Sequence, residues 1–231
     1  MQNERVFRLQ RSKNFWFSGT SIAQLLLVKT PVRIALCALW LLAAGAGTWA
    51  LMTYETTPTP VGSTPSQWPA DSHISRQAGR STLVMFVHPH CPCSRSSMEE
   101  LDRLLVQCKD SMTTHVLFIR PKGVPEDWTN TSLRKSAESI PGVHVALDQD
   151  GKEAERFGAE SSGYVVLYSP KGELLFSGGI TASRGHAGEN PAEDAVIALA
   201  TGHQSSLHHS DVFGCGLKEH CDIATTNENN L

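Results

Sequence analysis

The sequence predicts an α/β domain, and three features predict it. Short apolar runs of strand length alternate with amphipathic stretches of helix length over residues 80–202. The first run passes straight into a helix-like segment at Pro92. Late in the domain, two more runs flank Pro170-Lys171-Gly172, a hairpin signal.

The elements follow in chain order. Thr82 to Val87 is almost continuously apolar, as expected of a strand covered on both faces. Met98, Leu101, Leu104, Leu105 and Cys108 recur at helical spacing, so residues 92–109 form an amphipathic helix with Pro92 in its first turn, where no N–H donor is needed. Val116 to Ile119 reads as a second strand, and residues 125–139, opened by Pro125-Glu126-Asp127, as a second helix. Val143, Val145 and Leu147 alternate as a third strand, and Lys152 to Phe157 is a short helix. Tyr164 to Tyr168 and Leu174 to Ser177 form the hairpin. Asn190 caps a last helix that carries Glu193 three residues on and ends near Gly202. The order is β-α-β-α-β-α-β-β-α.

The flanks differ in composition. Residues 1–33 hold six of the 20 Lys and Arg residues against one acid, Glu4. No charge occurs from Ile34 to Met52, and nineteen helical residues at about 1.5 Å each span roughly 28 Å, the thickness of a bilayer core. Basic residues on its N-terminal side place 1–33 in the cytoplasm and the rest outside. A single-pass anchor in the inner membrane with an extracytoplasmic, periplasmic domain is therefore expected. The competing reading is a cleaved leader, since Ala44-Gly45-Ala46 resembles a small-residue cleavage site. Residues 53–79, rich in Thr, Pro and Ser, read as a flexible tether, and 203–231 as a polar tail with four histidines and two cysteines. Beyond residue 33 acids outnumber bases 22 to 14, which argues against nucleic-acid binding.

The chemistry concentrates in His88-Pro89-His90-Cys91-Pro92-Cys93-Ser94, where a strand hands over to a helix. Unsatisfied N–H groups and the positive end of the helix dipole favour a thiolate there. Cys91 is the candidate attacking thiolate, and His88, His90 and Ser94 are candidates to tune it. Six cysteines in an exported chain suit disulfide chemistry. Cys37 falls in the apolar segment, and Cys108, on an apolar helix face, reads as a core residue. Cys215 and Cys221 are read either as a tail staple or, for Cys215, as a thiol that folds back.

Strand order and the Phe86-x-x-Pro89-x-Cys91 pattern resemble the thioredoxin fold over residues 80–202. More narrowly, His88 to Ser94, Ser177-Gly178-Gly179-Ile180-Thr181 with Arg184-Gly185-His186, and Val212-Phe213-Gly214-Cys215 are similar to thioredoxin-like proteins of the RedB type. The resemblance implies a three-layer fold with a central mixed sheet, here behind the transmembrane helix, and a redox role without a settled substrate; protein thiols or disulfides are the expected partners. The chain departs from that pattern where Ser94 replaces the second cysteine of Cys-x-x-Cys, where Gly163 stands at the usual cis-proline, and where Met85 stands near a usual buried Asp. Cys93 is then the expected resolving thiol, with an external thiol or Cys215 as alternatives. No motif implies an organic cofactor; the Gly178-Gly179 region lacks the Lys-Ser/Thr ending of a phosphate loop.

Two rival readings remain. His88, His90, Cys91 and Cys93 form a soft donor set for copper or zinc, with His203, His208, His209, Cys215, His220 and Cys221 as a second set. Alternatively the thiols are only structural, in a tethered interaction domain.

Overall fold

The computed structural model describes residues 30–108 and 110–218. They divide into two units, one ending at Ala50 and one beginning at Leu51. Helix α1, Thr30–Thr56, has 27 residues, none of them buried, and is the one described helix long and apolar enough to cross a membrane. It extends the expected 34–52 span at both ends. The basic residues before Thr30 and the last thirteen residues, with His220 and Cys221, lie outside the described part.

The second unit is built on five strands, β1 Ser81–Val87, β2 Met112–Arg120, β3 Val143–Gln149, β4 Tyr164–Tyr168 and β5 Leu174–Gly178, in the order β3-β2-β1-β4-β5. β1 runs parallel to β2 and antiparallel to β4, and β2 parallel to β3, so the sheet is mixed. All seven residues of β1 are buried, as its apolar run requires.

Alternation along β1 sends its side chains into two cores. Leu83, Met85 and Val87 meet Met98, Leu101, Leu104 and Leu105 of α2, Ser94–Cys108, together with α3, Ser132–Ser139, and α5, Pro191–Ala200. Inside this layer the fully buried Glu100 accepts from the Gly188 backbone N–H, and Arg103 joins it to Glu193, tying α2 to α5. Val84 and Phe86 face the other way, onto Phe157, Tyr164, Tyr168, Val212 and Leu217, with α4, Lys152–Arg156, beside them.

That second face overturns the reading of 53–79 as a free tether. Residues 53–56 are helical, and the segment after them is extended but strapped to the sheet. Thr59 and Gly62 donate backbone N–H bonds to Val212 and Gly158, the Leu174 N–H donates to Ser66, and the Tyr168 hydroxyl donates to the Pro65 carbonyl. Trp68 packs edge-on against Phe157 and Tyr168. Val61, Trp68 and Ile74 are the anchors, and their irregular spacing hides them among polar neighbours. The tail is likewise ordered through Lys218: Ser177 and Ser210 pair along the β5 edge, and Leu217 donates to Glu160.

Two smaller differences concern helix ends. The expected helix over 125–139 is a 3₁₀ turn, Glu126–Thr129, followed by α3 with its own cap, the Thr131 hydroxyl accepting from the Arg134 N–H at 3.3 Å. α2 starts at Ser94, so Pro92 and Cys93 lie in the turn before it. The Asn190 cap is as expected, its side chain accepting from Ala192 and Glu193.

Candidate thiol site

The end of β1 and the start of α2 place Cys91 where the helix presents its free N–H groups. Cys91 is 2% exposed, so the sulfur at this strand-to-helix junction is enclosed. The tail brings Cys215 beside it. The Ser162 N–H donates to the Cys215 carbonyl at 2.8 Å, and the Arg184 guanidinium donates to the Gly214 carbonyl at 2.7 Å. Gly214 lies so close to the Ser162 carbonyl that a Cβ there would collide with it. Glycine is what lets this segment seat and bring Cys215 to Cys91.

Three sulfurs, those of Cys91, Cys93 and Cys215, lie within 4.8 Å of one another. The Cys215 thiol is the largest influence on Cys91. Against the opposing cost of burial, hydrogen bonds from that thiol, the Ser94 hydroxyl, and the backbone N–H groups of Cys215 and Ser94 bring the Cys91 pKa down to about 4. Cys93 behaves in the opposite way: burial, then the negative charge on Cys91, push its thiol up, with Arg184 working against both. Cys108 is a core residue, its thiol donating to the Leu104 carbonyl at 3.0 Å and raised to about 11 by burial.

The other candidates are placed as follows. The Ser94 hydroxyl is 2.7 Å from that of Ser162, which also accepts from the His88 N–H. His88 is buried, its Nδ1 accepts from the His90 N–H, and its ring lies edge-on to Trp128. His90 Nε2 lies 2.9 Å from the Trp128 carbonyl. Among the described residues the four-donor set of His88, His90, Cys91 and Cys93 does not gather; the three sulfurs do. In the tail, Nδ1 of His203, His208 and His209 is engaged separately with Thr201, Leu175 and Ser177. Met85 packs in the helix-side core. Gly163, at φ +86°, donates to the Phe86 carbonyl, and a Cβ there would meet the Ser97 hydroxyl.

Sequence reasoning missed Ser162, Trp128 and the bracing role of Arg184. Ser162 had no signal, because its role exists only once β1, the loop before β4 and the tail meet.

Two hollows flank the sulfurs. One of about 210 Å³ is lined by Cys91 with Pro89, Pro92 and Leu133 among others. A larger one, about 850 Å³, is lined by Cys215 with Thr59, Gly158, Glu160, Arg184 and Lys218 among others. The two linings share no residue.

No protein-family description and no curated protein matches the sequence. Solved structures do match. An uncharacterized conserved protein from Geobacillus kaustophilus aligns at 19% identity over 72% of this chain and 96% of its own, with a TM-score of 0.53. A hypothetical protein from Sinorhizobium meliloti 1021 aligns at 16% over 72% and 98%, also at 0.53. A secreted disulfide oxidoreductase from Mycobacterium tuberculosis aligns at 14% over 54% and 82%, at 0.38. The chain has a thioredoxin-like fold.

Proposed function

We propose that the protein is a membrane-anchored, extracytoplasmic thiol–disulfide oxidoreductase in which Cys91 is the thiolate and Cys215 the thiol with which it forms a disulfide. The observation that carries this reading is the approach of the Cys215 sulfur to within 4.8 Å of the Cys91 sulfur, which makes Cys215 the main cause of the low Cys91 pKa. A sulfur kept anionic against burial is suited to exchange, since the thiolate is both the nucleophile and the better leaving group. Cys93, the resolving thiol expected from the sequence, is less suited, because its proton is held more tightly. Ser94 supports the anion directly, whereas His90 is turned to Trp128. The similarity to RedB-type proteins at Val212 to Cys215 agrees with a working role for the tail.

The anchor reading is supported by the apolar helix and by the basic residues that precede it in the sequence, which favour an outward-facing domain. Protein thiols or disulfides are the substrate class.

Two measurements test the proposal. In the reduced protein, Cys91 should be alkylated by iodoacetamide with a midpoint near pH 4, far below an ordinary thiol, and mild oxidation should give a Cys91–Cys215 bond in a peptide map. An alkylation midpoint at or above that of a free thiol would overturn it.

A further inference from the structure

We propose that the Cys91–Cys215 disulfide form oxidises a peptide-sized thiol that approaches through the 850 Å³ cavity, attacking Cys215 Sγ and expelling Cys91 Sγ. The inference rests on the reading of Cys91 and Cys215 as the exchanging pair and adds the direction of electron flow, the point of attack and the class of substrate.

Access selects Cys215. Cys91 is 2% exposed and lines the 210 Å³ hollow, below the usual size of a ligand site. Cys215 is half-buried and lines a cavity four times larger, within the range that holds a small-molecule ligand. The cavity wall carries Glu155 and Glu160 beside Arg184 and Lys218, a balanced charge that suits a zwitterionic peptide. Ser162 and Arg184 grip the backbone at Cys215 and Gly214, so the sulfur is presented from a fixed segment.

Leaving-group chemistry selects the same direction. An attacking thiolate breaks a disulfide most readily where the departing sulfur is the more stable anion, which is Cys91: with Cys215 bonded to the substrate and carrying no proton, the Ser94 hydroxyl and the backbone N–H groups of Cys215 and Ser94 still hold it. The same donors stabilise the reduced form and so make the disulfide oxidising.

The half-reaction balances. A substrate thiol loses its proton to solvent and its thiolate attacks Cys215 Sγ; the Sγ–Sγ bond breaks and its electron pair leaves on Cys91. A second substrate thiolate then attacks the substrate sulfur of the mixed disulfide, forming the substrate disulfide, and Cys215 leaves and takes a proton. Two substrate thiols are oxidised to one disulfide, the protein disulfide is reduced to one thiolate and one thiol, and one proton is released.

The experiment uses the full chain in detergent, oxidised, desalted and mapped, then mixed with reduced glutathione and quenched in acid. The expected intermediate is glutathione bound to Cys215 with Cys91 free. Glutathione on Cys91 with Cys215 free overturns this inference while leaving the exchange pair intact; absence of a Cys91–Cys215 bond before glutathione is added overturns both. A second arm compares glutathione with a folded protein bearing one exposed thiol. Reaction at least about tenfold faster with glutathione is expected of a cavity this size, and equal rates would overturn the peptide-sized substrate.

Discussion

The two faces of the sheet are closed by different means. One is covered by α2, α3 and α5, whose apolar stripes repeat at helical spacing. The other is covered by α4 and two irregular straps, one after α1 and one at the tail, each pinned by a few large side chains and backbone bonds. The helical face supplies rigidity and the helix terminus under Cys91. The strap face supplies Cys215 and with it the largest single hold on the anion. Substitutions can therefore separate the tail's hold on the anion from the stability supplied by the helix-side core.

The largest effect is expected at the anion. Cys91→Ser should abolish disulfide exchange and remove a pH-dependent part of stability. With a folded pKa of about 4 against an ordinary value of 9.0, the folded reduced protein binds fewer protons between those values, so its stability rises with pH across that window and is lost as pH falls through about 4. The melting temperature of the reduced protein relative to Cys91→Ser should therefore be lowest near pH 4 and grow toward pH 8, as thermal scans in reducing buffer would reveal; a flat difference would contradict the assignment.

Next comes the seat of the tail. Gly214→Ala should drive the strap off Ser162, raise the Cys91 alkylation midpoint by more than about one unit, and lower exchange accordingly. The helical face supplies the control. Leu101→Ala, fully buried there, should cost about 2–5 kcal/mol in denaturant unfolding yet leave the Cys91 midpoint in place. If Leu101→Ala moved that midpoint as far as Gly214→Ala, the division between the faces would fail. The smallest effect is expected of Cys93→Ser, which should change the exchange rate by no more than about threefold, checked by stopped-flow with a model disulfide.

The same contrast explains what could be read from the chain. Met98, Leu101, Leu104 and Leu105 announce α2 because one buried face imposes a period, and Asn190 announces α5 because a cap is a local bond. The segment over 125–139 misled because Pro125-Glu126-Asp127 does open a helical turn, but a 3₁₀ one that ends before Thr131 caps the next. The straps have no period, so Val61, Trp68, Val212 and Leu217 look like stray apolar residues. Cys91 was legible from its place before a helix, and Cys215 only as one alternative behind Cys93. The sequence places Cys93 two positions away, whereas the Cys215 contact depends on Gly214 fitting against a loop more than fifty residues earlier.

Arg184 carries one more consequence. Its guanidinium donates to the carbonyls of Tyr54, Thr57 and Gly214 and lies over the Tyr54 ring. Those partners all follow Ala46, so a peptidase trimming the chain after Ala44-Gly45-Ala46 would leave every one of them on the mature product. Maturation by cleavage and retention as an intact precursor would deliver the same fastened sulfur pair, and the choice between them would change where the protein diffuses rather than how it reacts.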